Sequence, residues 1–414
     1  MTDKKIVLIT SGQPSLNPRL VKEADSLANT GYNVTVLYAY WNDWGTLFDE
    51  ELLKTKDWKA IRVGGDPKQK TFTYFFSRLI YRTALFILKN IGFANYLTEV
   101  AAARGSYFLI REAKKHKADL YIAHNLGALP AAAKAAKANN KPFNFDAEDF
   151  HRNEVSDNIE SINYKISKYI EDKYLNRATI VTAASPLIAH EYKKRYPAIN
   201  VKPILNVFER VKTEQSNPNP GGLKLFWFSQ FIGEQRGVEE VIEAISLCDP
   251  SAGIILSLLG NYTNETYKYF NDLAKKHGLS PNQVTFYKPI PPGDIFNFAM
   301  QFDIGLATEQ AIPYNRDICL TNKIFTYIQA GLAVIASDTL AQVQLLNQHK
   351  NIGTLYKKGN AKELANALKL YINNPDALQK AKQNSYMLGQ TTLNWETESE
   401  KLMDVVKEVL NKVE

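Results

Sequence analysis

The sequence predicts an α/β protein of two doubly wound, Rossmann-like domains facing each other across a cleft. Three observations lead there. Short apolar runs alternate with longer helical patterns, an order that yields parallel sheets covered by helices on both faces. The alternation restarts after "RVKTEQSNPNPGG", Arg210 to Gly222, whose polar, proline and glycine content is that of a linker. Finally, 414 residues exceed what one core usually supports, so two domains of roughly 200 residues each follow from size.

Taken in order, "KIVLIT", "NVTVLY", "DLYIAH", "PFNFDA" and "ATIVTAAS" have the length and apolar content of buried strands. Between them, "PRLVKEADSLANTG" and "LGALPAAAKAAKANN" have helical spacing. Beyond the linker, "LKLFWFSQ", "GIILSLLG", "VTFYKP", "DIGLA" and "AVIAS" read as strands, with "GVEEVIEAISLC" helical. The tail "NWETESEKLMDVVKEVLNKVE" reads as a final amphipathic helix. The expected organisation is a first domain over 1–209, a linker over 210–222, a second domain over 223–389, and a helix over 390–414 that crosses back to the first.

Composition narrows the function classes. Apolar content of 45% and charged content of 22% are ordinary for a globular chain, and no short-period repeat is visible. The two cysteines, Cys248 and Cys319, form neither a metal-ligand spacing nor a disulfide framework, which fits a reducing, cytoplasmic compartment. The N-terminal "MTDKKIVLIT" has too short an apolar run for a signal sequence and reads as the first strand. A net charge of +7, from 50 basic and 43 acidic residues, suits phosphorylated ligands or an anionic membrane surface. It does not require nucleic acid.

In doubly wound folds ligands sit beyond the carboxyl ends of the strands, and several motifs fall there. In "LTNKIFTYIQAGLAVIASD", Thr321 or Asn322 can cap a short helix that Gly331 ends. Its first turn offers free N–H groups and a partial positive charge to an anion, most simply a phosphate, and Lys323 adds a full charge. The same residues equally fit a capped surface helix with a solvated lysine. In "QFIGEQRGVEEVIEA", a strand meets a loop containing Gly233 and Gly237, with Arg236 just before a helix. An arginine there can grip a diphosphate with paired hydrogen bonds or simply cap the loop. Neither the phosphate loop of nucleoside triphosphatases nor the dinucleotide fingerprint is present.

The first half supplies three polar clusters. "TSGQPSLNPRLVKEA" places Gly12 where a ligand could approach the backbone, with Pro18 at a helix start. "IAHNLGALP" puts His124 and Asn125 at a strand end, and "FDAEDFHRNE" puts Asp146, Glu148, Asp149 and His151 after another. Asp149 and His151 are acceptor-side candidates, and each of these groups could instead be structural or cap a helix. No aspartate cluster or histidine spacing demands a metal.

In this order, "FWFSQFIGEQRGVEEVIEA", "ILSLLGN", "VTFYKPIPPGDI", "FDIGLATE" and "LTNKIFTYIQAGLAVIASD" resemble the retaining, nucleotide-sugar-dependent glycosyltransferases of the GT-B fold, family four. The resemblance implies a sugar donor bound mainly by the second half and a glycan or lipid-linked acceptor bound by the first. It implies that Arg236 and Lys323 contact the donor diphosphate beside the helix N-terminus at Asn322, and that Gly12 lies near the transferred sugar and phosphate. Gly260 and residues 286–290 would surround the base, and His124 would face the sugar. Two departures are visible. Gln230 stands where many members have arginine, and Ile318 and Thr326 stand where many have two glutamates. Thr326 can hydrogen-bond but cannot offer ribose a carboxylate, whereas Glu309 could bind sugar or ribose hydroxyls instead.

The implied reaction is transfer with retention, the departing diphosphate being stabilised by Arg236, Lys323 and the helix dipole without metal or cofactor. Cell-surface polysaccharide or glycoconjugate synthesis is the expected setting. An epimerase of the same fold, which would need carboxylates poised for proton transfer, and a non-catalytic sugar-nucleotide-binding protein are the rival readings. Thr71 to Phe93, "TFTYFFSRLIYRTALFILKNIGF", is the most apolar helical stretch. Its charges disfavour a membrane span. Arg78, Arg82 and Lys89 form one stripe, which fits either peripheral docking at the anionic inner face of a membrane or a core helix with one polar stripe.

Overall fold

A computed structural model of the chain describes residues 3–92, 95–211 and 222–412. The chain forms two compact units: one of Met1–Leu205, Pro313–Asn315 and Ser399–Glu414, the other of Asn206–Ile312 and Arg316–Glu398. The boundary thus falls at 205/206 rather than 209/210. The last helix, Trp395–Asn411, is divided between the units, and the expected break at 389/390 lies before it. Most of the expected linker, 212–221, lies outside the described residues.

The first unit is built on seven strands, β1 (Lys5–Thr10), β2 (Asn33–Ala39), β3 (Lys59–Val63), β4 (Leu120–His124), β5 (Phe143–Ala147), β6 (Val181–Ala183) and β7 (Val201–Pro203), in the order β3-β2-β1-β4-β5-β6-β7. Every pairing is parallel. The central strands β1 and β4 are buried almost throughout, as strands covered on both faces must be. The second unit repeats the plan with β8 (Lys224–Phe231), β9 (Ile255–Asn261), β10 (Val284–Tyr287), β11 (Ile304–Ala307), β12 (Ala333–Ser337) and β13 (Gly353–Tyr356), ordered β10-β9-β8-β11-β12-β13. Strand order reverses beside β1 and beside β8, the switch points at whose carboxyl ends doubly wound sheets bind ligands.

Three strands escaped the reading of the sequence: β3, β7 and β13. All are edge strands. An edge strand pairs on one side and meets solvent on the other, so "KAIRV" and the three-residue "VKP" carry no continuous apolar signal.

Candidate functional site

In the second unit the motifs converge at the carboxyl ends of β8, β11 and β12. The ladder between β8 and β9 shifts register between Phe228 and Phe231, a bulge that re-aims side chains as such irregularities do. Ser229, inside it, accepts a 2.8 Å hydrogen bond from Arg236 Nη1. The Arg236 carbonyl accepts one of the same length from Thr308 Oγ1, just past β11, and that oxygen in turn accepts from Trp227 Nε1 at 3.0 Å. This close approach explains Gly237. Its φ is +82°, and a Cβ there would lie 2.5 Å from that of Thr308. Only glycine takes this conformation readily.

The helix Asn322–Gln329 lies against β11 because Gly305 leaves room: a Cβ there would meet the Tyr327 ring at 2.1 Å. Tyr327 Oη donates to the Leu306 carbonyl at 3.1 Å. Thr321 occupies the N-cap position but makes no side-chain cap. Its hydroxyl goes instead to Glu309 Oε1, 3.2 Å away. The expectation of a Thr321 or Asn322 cap is therefore corrected, and the first turn keeps its N–H groups free of side-chain capping, the condition under which a helix start attracts an anion.

Lys323 and Glu309 form an ion pair at 2.5 Å, with 16% and 13% of their side chains exposed. Burial alone would raise the Glu309 pKa, but the ammonium and the hydrogen bonds of Lys323 and Thr321 hold it below the usual carboxylate range. Lys323 Nζ also lies 5.6 Å from the centroid of Trp227. Thr326 is buried, and its hydroxyl donates to the Asn322 carbonyl at 2.9 Å, a helix back-bond. Ile318, at the other departure, is also buried.

Gln230 is exposed on the bulge, and its carbonyl accepts from Asn261. Gly260 packs against the bulge, where a Cβ would come within 2.4 Å of the Ser229 carbonyl. Gly233 faces open space. A cavity of about 610 Å³ beside this loop is lined by Glu234, Glu239 and Glu240 with Arg316. Neither Arg236 nor Lys323 lines it.

In the first unit, Gly12 follows β1, and a Cβ there would meet only Thr10 Oγ1 at 3.9 Å. Sterics therefore do not require glycine at that position. His124 ends β4 and is fully buried. Its Nδ1 lies 3.2 Å from Glu148 and its Nε2 3.3 Å from Glu23. Arg19 grips Asp146 through two bonds of 2.6 and 2.7 Å, a bidentate pairing. Burial would lower the imidazole pKa, yet Glu23 and the hydrogen bonds of Asp146 and Glu148 raise it well above its ordinary value. His124 thus sits, fully buried, inside its own unit's charge network. Glu23, His124 and Asp146 bring three potential metal-ligand atoms within 4.8 Å. Arg19 pairs with Asp146 within this group.

Asp149 and His151 follow β5. Asp149 accepts from Asn315 Nδ2 at 2.7 Å, and Asn315 Oδ1 accepts from the Phe150 N–H at the same distance. Burial and the nearby Glu154 charge push the Asp149 pKa up to about 6. His151 is buried with Nδ1 2.8 Å from Glu154. Burial lowers its pKa, but the Glu154 hydrogen bond and charge outweigh it and raise the value to about 9. Ser229, Thr308 and Asn315 were missed in the sequence. Short polar residues near strand ends are too common there to stand out.

Residues 209–387 match the family model described as "Glycosyl transferases group 1". The matched segment contains Arg236, Glu309 and Lys323 and nearly the whole second unit. No curated protein matches the chain by sequence. Among solved structures, Anabaena Alr3699/HepE in complex with UDP aligns with a TM-score of 0.69 at 16% identity, covering 98% of this chain and 100% of that one. Sucrose-phosphate synthase from Thermosynechococcus elongatus gives 0.70 at 14%, covering 99% and 100%. A glycosyltransferase from Rickettsia africae gives 0.68 at 14%, covering 99% of each chain. These likenesses establish the GT-B fold over essentially the full chain.

Proposed function

We propose that this chain moves a sugar from a nucleoside-diphosphate sugar to a glycan or lipid-linked acceptor with retention at the anomeric carbon, in cell-surface polysaccharide or glycoconjugate synthesis. One observation carries the reading: in the segment that matches the group 1 model, Arg236, bonded to Ser229 at the end of β8, and Lys323, in the first turn of a helix without a side-chain cap, both lie at the carboxyl ends of the second sheet. Two cations and a helix dipole at that end of a sheet would stabilise the charge that gathers on a leaving diphosphate. Alr3699/HepE, of like fold, was solved with UDP and with UDP-glucose, which supports a nucleotide-sugar donor.

In this reading Arg236 and Lys323 stabilise the departing diphosphate without a metal. Asn322 opens the helix at their side, and Gly233 and Gly260 shape the strand-end loops. Gln230 and Gly12 stand at the entrances of the two sites. Glu309 pairs with Lys323 and turns to a donor hydroxyl once phosphate takes its place there. His124 positions the loops after β1 and β5 through its charge network, and Asp149 and His151 shape the acceptor side. The enzyme works in the cytoplasm at the inner face of the membrane.

The test is a thermal-shift and titration screen of nucleoside diphosphates with chelator present, followed by sugar transfer with the preferred donor. Binding should raise the melting temperature by mass action and survive chelation. Loss of binding on chelation would overturn the metal-free reading. Donor isomerisation without acceptor would point to an epimerase, and binding without turnover on any acceptor to a non-catalytic role.

A further inference from the structure

The helix Thr71–Asn90 is amphipathic the wrong way round for a core element. Phe72, Phe75, Leu79 and Phe86 are 85%, 63%, 61% and 64% exposed, whereas Ser77, Ala84 and Leu88 face inward. At about 100° per residue, the four exposed apolar side chains share one face, Arg82 and Lys89 border it, and Ser77 and Ala84 lie opposite. The core-helix alternative is thereby excluded.

Nor is the face isolated. Among the described residues, 11 of the 21 exposed large apolar side chains fall between Trp41 and Tyr96, and such concentrations on a surface mark an interaction site. Trp41, Trp44, Leu47 and Phe48 are among them, with the Trp44 and Phe48 rings 4.6 Å apart. Tyr40 packs on Tyr74 at 5.5 Å, tying this segment to the helix. The backbone N–H of Trp41 donates to Gln13 Oε1 at 2.9 Å, so the surface adjoins the loop after β1 that carries Gly12.

Charge selects the occupant. The helix carries Arg78, Arg82 and Lys89 and no acidic residue. Of the acids on the segment that carries Trp44, Asp49 is buried, Asp43 lies 3.9 Å from Lys68, Glu51 lies 2.7 Å from Lys54, and Glu50 is exposed. Pairing two copies about a twofold axis would bring the bordering cations of each helix toward those of the other. An anionic lipid surface accepts the same cations and takes aromatic side chains into its interfacial layer. No described helix is long and apolar enough to cross a membrane, so the attachment is peripheral.

We propose that the aromatic face of Thr71–Asn90, extended by Trp41 and Trp44, docks the first unit on an anionic lipid bilayer, and that the acceptor is an amphiphile presented at that surface. The acceptor clause rests on the transferase reading above; the docking clause does not.

The experiment is sedimentation of the full chain with vesicles of phosphatidylcholine alone or mixed with phosphatidylglycerol, with nucleoside-diphosphate binding measured in parallel. The parent should sediment with the mixed vesicles and be released by salt. Arg82→Gln with Lys89→Gln should weaken partitioning about 25-fold, at about fivefold per charge. Phe75→Ser with Leu79→Ser, at exposed positions that leave the fold intact, should abolish it. Nucleotide binding should be unchanged in both variants. A parent that stays in the supernatant, or a solution dimer that the Phe75 and Leu79 changes dissociate, overturns docking. Docking without nucleotide binding removes the transferase reading alone.

Discussion

Replacing Lys323 with alanine should weaken nucleoside-diphosphate binding by roughly 1.5–3 kcal/mol, the range of a hydrogen bond to a charged group, which is about ten- to more than a hundredfold. The magnitude rests on where the ammonium sits. It is five-sixths buried, 2.5 Å from Glu309, at the mouth of an uncapped helix. In that partly desolvated setting solvent screens its charge less than at an open surface. The substitution also leaves Glu309 with only its Thr321 hydrogen bond, and fold stability should fall by about 1–3 kcal/mol as the carboxylate loses its counter-charge. Turnover should fall further than affinity, because the missing charge acts on the leaving diphosphate.

Glu309→Gln gives the opposite sign for binding: it frees Lys323, so free nucleoside diphosphate should bind more tightly, while turnover drops if the carboxylate holds a donor hydroxyl. Isothermal titration with the preferred nucleotide in chelator, beside urea denaturation of each variant, separates the two effects. If Lys323→Ala stayed folded and bound nucleotide with parental affinity, the phosphate-facing role would be wrong. The helix would then be only a structural element whose lysine serves Glu309.

Gly237→Ala should lose about 2 kcal/mol or more, since a side chain at φ +82° is strained by roughly 1–2 kcal/mol and this one also strikes Thr308. Gly233→Ala, with nothing within 4 Å, should leave the melting temperature unchanged; equal losses would refute the steric account. Between pH 6.5 and 9 stability should decline, because the His151 pKa rises from its ordinary 6.5 to about 9 on folding. A raised pKa stabilises fully below the unfolded value and is lost on passing the folded one, a contribution of at most about 3.4 kcal/mol. His151→Gln should flatten that slope in urea titrations, and an unaltered slope would assign it elsewhere.

Much of this molecule is determined within the sequence itself. Buried parallel strands must be apolar along their whole length, so β1, β4, β11 and β12 declare themselves as uninterrupted runs, and the switch points follow from their order. The positions of Arg236 and Lys323 beside helix starts are legible from the strand-loop-helix order of their motifs. Local sequence does not determine what a side chain meets across the sheet. That the Thr326 hydroxyl bonds one turn back to the Asn322 carbonyl, and that Glu23, Asp146 and Glu148 close around His124, appears only in the fold. Glu309 and Lys323, fourteen residues apart, become a pair only because β11 and the following helix end at the same place. The aromatic face of Thr71–Asn90 is the clearest case. Its periodicity is in the sequence, but which side packs inward depends on the neighbours the fold supplies, and these cover Ser77 and Ala84 while leaving the phenylalanines outside.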